Sequence, residues 1–111
     1  MWYVANLLLK SVHQHCLPRE NLWEETMRLI KADTREEALS KAEQIGKSLE
    51  YSYPVSGSDV VTWVFIRVES IFEIDDDDLK DGTEVFSRFL HESEVNSLLK
   101  PFEADGPELA Q

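Results

Sequence analysis

His13, His15 and Cys16 stand together in the stretch HQHC, where the chain groups side chains able to hold a soft metal ion or to arm a nucleophile. Zinc takes about four ligands, so Glu20, His91 or Glu92 would have to complete the set, and only folding could bring His91 near. A thiolate beside an imidazole is activated for attack. No third, orienting group and no oxyanion hole stand at a recognisable spacing, however. The plainer expectation is a solvated loop between two strands, with no metal, no cofactor and no catalytic residue. A metal-dependent enzyme built on His13, His15 and Cys16 is the last of three readings.

The second group is the run Asp75, Asp76, Asp77 and Asp78, which follows directly on VTWVFIRVESIFEI. A calcium loop of the EF-hand type needs oxygen ligands at alternate positions, glycine at the sixth and glutamate at the twelfth. With Gly82 as the sixth, the third is Leu79 and the twelfth Arg88, so the motif fails. Charge after a hydrophobic strand stops further pairing and favours a turn. Weak divalent-ion binding, or docking of a basic partner on the four carboxylates, is the functional alternative. Serine-hydrolase elbows, phosphate loops and dinucleotide fingerprints are absent: the 4 glycines fall in none of them. Carboxylate pairs are too common in so acidic a chain to single out a general acid.

The elements that position these groups can be read from period and punctuation. Residues 2–13, WYVANLLLKSVH, set Tyr3, Ala5, Leu7 and Leu9 against Trp2, Asn6 and Lys10, the alternation of a strand. Pro18 and Asn21 mark a loop. LWEETMRLIKA, residues 22–32, alternates again and predicts a second strand. DTREEALSKAEQIGKSLEY, residues 33–51, is a helix: Thr34 and Glu37 form a capping box, and Ala38, Ala42, Ile45 and Leu49 recur at helical spacing. Pro54 and Gly57 break the chain. The stretch through Ile74 predicts a long third strand, KDGT a turn, EVFSRFL (84–90) a fourth strand, and EVNSLLK a short helix that Pro101 stops.

The expected fold class is therefore α+β: a four-stranded mixed sheet in β-β-α-β-β order, one main helix on one face and a short C-terminal helix. Residues 1–100 form a single domain, and 101–111 an acidic tail that frays. If the third strand turns Val64, Ile66 and Val68 to the helix, it turns Trp63, Phe65, Arg67 and Glu69 away, joined by Trp2, Glu24 and Arg28. Such an aromatic face needs a cover. Trp2, Arg28, Trp63, Phe65 and Arg67 are the candidate interface, because aromatics and arginine are enriched in interface cores. Its cover is either a second copy, another protein, or the chain's own FLHESEVNSLLKPF folding back.

The opening WYVANLLL, the segment VTWVFIRVESIFEI and the segment DGTEVFSRFL together resemble a family of small bacterial proteins known only as a domain of unknown function, over about residues 2–90. The resemblance implies a small α+β domain and a bacterial setting, and it brings no catalytic residues.

Charge narrows the partners. Against 11 basic residues stand 22 acidic ones, a formal net charge of -11 that repels phosphate backbones, so no nucleic-acid partner is expected. Cys16 is the only cysteine, which rules out an intrachain disulfide. The apolar opening lacks a basic stretch before it and ends at Lys10, short of a membrane span, which points to a cytoplasmic protein without a membrane partner. The leading expectation is a non-enzymatic binding or accessory module that homodimerises through its sheet. The alternative is an acidic inhibitor of the immunity or antitoxin type that blocks a basic protein with Asp75 to Asp78.

Overall fold

The structure, a computed structural model, describes residues 1–15, 21–75 and 79–100. Strands β1 (Trp2–His13) and β2 (Trp23–Lys31) are followed by helix α1 (Arg35–Ser48), strands β3 (Tyr51–Pro54) and β4 (Val60–Ile74), and helix α2 (Glu92–Leu99). The class is α+β, with a four-stranded sheet in the order β2-β1-β4-β3. Every pairing is antiparallel, which corrects the mixed sheet. The two hairpins meet through β1 and β4, which run in opposite directions, and α1 joins the two outer strands without a parallel crossover.

The same string of element types arises from partly different residues. EVFSRFL forms no strand: residues 84–91 have no regular structure. The sheet edges belong to β2 and β3, and the alternating residues after Gly82 pass over the sheet rather than beside it. The other outer strand is β3, whose Pro54 suits an edge because it has no N–H to give to a ladder.

Directly opposed residues share a face, so the register fixes both sides of the sheet. Tyr3, Ala5, Leu7 and Leu9 point one way and pack with Ile30, Ala32 and the α1 residues Ala38 and Ala42 into the core. The start of α1 is fixed locally: Thr34 Oγ1 accepts from Glu37 N at 3.1 Å, and Glu37 Oε1 accepts from Asp33 N at 3.0 Å. Together with Lys41, whose Nζ lies 3.2 Å from Glu37 Oε2, that backbone bond holds the Glu37 carboxyl below the usual carboxylate range. Gly46 completes the buried stripe of α1, since a Cβ there would overlap the Phe65 ring.

That contact overturns the expected orientation of the long strand. Trp63 and Phe65 pack against the core under α1, while Val64 faces the opposite side. Shifts of register opposite Asn6/Leu7 and Leu8/Leu9 leave Ile66 and Glu69 without opposing partners. Each bulge inverts the alternation, so Val68 and Ile71 rejoin the helix side, and strict period two fails at both points. The acidic tail expected at 101–111 lies outside the described residues.

A half-covered sheet face as candidate binding surface

Away from α1, the open face presents Trp2, Val4, Asn6, Leu8, Lys10 and Val12 from β1. Trp23, Glu25, Met27, Leu29 and Lys31 of β2 lie on the same side, as do Val64, Arg67, Ser70, Phe72 and Ile74 of β4. The predicted interface is thereby divided. Trp2 and Arg67 are on the open face, whereas Trp63, Phe65 and Arg28 are on the helix side, with Trp63 and Phe65 in core packing. Trp23 was not among the candidates, although its place opposite Lys10 puts it 52% exposed on the open face, its ring 5.3 Å from Lys10 Nζ. The missed signal was the alternation of Trp23, Met27 and Leu29, which the sequence shows without saying which face it serves.

One half of this face carries an overlying segment, which leaves Met27 47% and Leu29 49% exposed. After the Gly82 turn, where φ is +87° and Thr83 N bonds Lys80 O at 3.0 Å, the chain lays Val85 near Val4, Met27 and Leu29. Phe86 meets Phe72 edge to face at 6.4 Å. Then contact ends. Phe89 is fully exposed, and α2 buries no residue, with Leu98 64% and Leu99 72% exposed. Of the fold-back expected from FLHESEVNSLLKPF, the described part buries no residue fully and half-buries only Val95, and the preceding residues make the contacts with the sheet. Val12 and Trp23 at the other end of the open face stay exposed, as does Ile66 at the bulge of β4.

Between the covered and uncovered halves lies a cavity of about 270 Å³. It is lined by Asn6, Glu25, Glu69, Ser70, Phe86, Ser87 and Arg88 and is open to solvent on one side. Asn6 Nδ2 donates to Glu25 Oε2 at 3.0 Å. Asn6 Oδ1 and Ser70 Oγ are buried without a hydrogen-bond partner among the described residues. In the sequence Asn6 stands only as one member of the β1 alternation. A polar residue between Val4 and Leu8 on one side of a strand was the available clue.

The other candidates fall elsewhere. His13 Nδ1 lies 2.6 Å from Asp59 Oδ2, and Asp59 Oδ1 accepts from His15 N at 2.8 Å, so the buried Asp59 fastens the end of β1 to the turn before β4. Cys16 and Glu20 lie outside the described residues. His91 and Glu92 stand at the start of α2, where His91 N donates to Glu94 Oε1 at 2.8 Å. Among the described residues, no three of His, Cys, Asp and Glu gather around a point that could hold a metal. Asp75 is exposed and lines a shallow cavity of about 160 Å³ with Phe72, Thr83 and Glu84. Asp76, Asp77 and Asp78 lie outside the described residues. Among the described residues, no helix is long and apolar enough to cross a membrane.

Fold and face define a class: a small α+β domain with one antiparallel sheet, packed by a helix on one side and partly open on the other. The chain belongs to the family described as a domain of unknown function, DUF4288, whose profile matches residues 2–87. No curated protein and no solved structure matches it.

Proposed function

We propose that the protein is a non-enzymatic binding or accessory module of the bacterial cytoplasm that homodimerises through the open face of its sheet. The observation that carries this reading is a pair of unpartnered apolar surfaces in one chain: the Val12 and Trp23 end of the open face, and the arm with Phe89, Leu98 and Leu99. A second copy supplies the arm for the sheet and the sheet for the arm, the reciprocal contact of a twofold dimer. Buried aromatics contribute about 150–250 Å² each, so Trp23 and Phe89 with their aliphatic neighbours approach the roughly 800 Å² per partner of a standard interface. Charge supports the same match through Lys10 beside the uncovered sheet and Glu92 on α2, since Arg67 is already paired with Glu69 at 3.3 Å.

The test is the mass in solution by light scattering behind a sizing column, for the native chain and for Trp23→Ser. A dimer that Trp23→Ser shifts toward monomer by about tenfold or more in dissociation constant is the expected result. A monomer at all concentrations would discard the reading and leave α2 to fold back on its own sheet.

A further inference from the structure

The cavity that Asn6 and Ser70 line with Phe86 and Arg88 is costly to the fold. Asn6 is 1% exposed, and leaving its Oδ1 unpaired costs about 1–3 kcal/mol against an apolar residue of similar shape. A second orphan, Ser70 Oγ, sits on the neighbouring strand as the cross-strand partner of Asn6. The sheet is also least regular here, for the Glu69 bulge falls directly beside the Asn6/Ser70 pair. Bulges of this kind re-aim side chains and gather next to binding sites. Two orphaned polar atoms, a bulge and a cavity at one place are the marks of a site shaped for a ligand.

The chemistry of the walls selects that ligand. Asn6 Oδ1 and the Glu25 and Glu69 carboxylates accept hydrogen bonds, and Ser70 Oγ can do so. An ammonium group, with three donors and no acceptor, matches them. A bare divalent cation does not, because Arg88 forms part of the same wall. The Arg88 guanidinium makes no ion pair among the described residues and presents the fork that a carboxylate fits. Phe86 adds an apolar surface.

We propose that this cavity binds a free α-amino acid with an apolar side chain, its ammonium on Glu25 and, once the buried Asn6 and Ser70 side chains turn toward the cavity, on Asn6 Oδ1 and Ser70 Oγ, and its carboxylate on Arg88. The site lies within one chain and does not depend on the dimer.

The experiment is a titration of the ¹⁵N-labelled full chain with L-leucine, followed by NMR at the Asn6 side-chain amide and the Ser70 and Ser87 backbone amides. Isoamylamine, which lacks the carboxylate, and 4-methylpentanoate, which lacks the ammonium, are the comparison probes. The expected result is a saturable response to leucine and about tenfold or weaker binding of either analogue. Arg88→Gln should weaken leucine by about the same factor while leaving isoamylamine unchanged. Asn6→Leu should abolish the leucine response with Tm unchanged or raised, since it removes the orphaned carbonyl. If Asn6→Leu does not fold, the exposed Arg88 still carries the test. No saturable response to leucine, equal binding of leucine and isoamylamine, or an unaltered leucine affinity in Arg88→Gln would each overturn the proposal.

Discussion

At the scale of single residues, close approach and local hydrogen bonds explain most of the choices the sequence makes. Gly46 lets the Phe65 ring lie directly on α1, and Phe65 is held in turn because its backbone N donates to Glu50 Oε2 at 2.9 Å, where the β3 ladder has not yet begun. Gly46→Ala sets a helix-propensity gain of about 1 kcal/mol against overpacking of about 1–3 kcal/mol. We expect a net loss of about 1 kcal/mol, read as a lower urea midpoint, and recovery when Phe65→Leu is added. Glu37 gives a pH signature. Its carboxyl is held low by the Asp33 N–H and Lys41, so its contribution to stability is complete above the pKa of an unfolded glutamate and is lost as pH falls through its own lower value. Glu37→Gln should therefore flatten the fall of Tm with acidification below about pH 4, where ordinary glutamates titrate. An unaltered acid profile in thermal melts would refute that assignment.

At the scale of elements, the two bulges of β4 decide which side chains reach the core. Without them, a strand running unbroken from Val60 to Ile74 could not offer both Phe65 and Val68 to α1. This is where a reading by period two went wrong: the alternation of Trp63 and Phe65 is plain in the sequence, but which face it serves depends on where the register slips. The expected strand at 84–90 failed for a related reason, because alternation says nothing about whether an edge is free to pair. The class of α1 and its cap, by contrast, were legible, since Thr34, Glu37 and the Ala38/Ala42 spacing act within a few residues. Helix α2 leaves Leu98 and Leu99 exposed, so Leu98→Ser with Leu99→Ser should leave the unfolding of the sheet unchanged within about 0.5 kcal/mol. The same pair should weaken the proposed dimer by about tenfold or more. Urea melts at low concentration and sedimentation at high concentration separate the two effects.

At the scale of the whole molecule, charge sets how copies meet. Two chains that each carry a net charge of -11 repel over the Debye length, about 10 Å at 0.1 M salt and about 3 Å at 1 M. The apolar contact must form against that field. Self-association should strengthen as sodium chloride rises from about 0.05 to 0.5 M, measured by sedimentation equilibrium. An acidic inhibitor docking a basic protein would show the opposite trend, because salt screens the attraction that steers it.

The α+β class, the long helix and the resemblance that the family profile supports were all contained in the sequence, because they rest on periodicity, caps and short-range chemistry. The distribution of residues between the faces of the sheet was not. It follows from two register shifts between strands more than fifty residues apart, and from an arm that crosses the sheet instead of pairing with it. Pairing register is a long-range property, and one slipped residue turns every following side chain over. The tertiary structure therefore decided that Trp63 and Phe65 belong to the core, that Trp23 belongs to the surface, and that Asn6, Ser70 and Arg88 share one cavity.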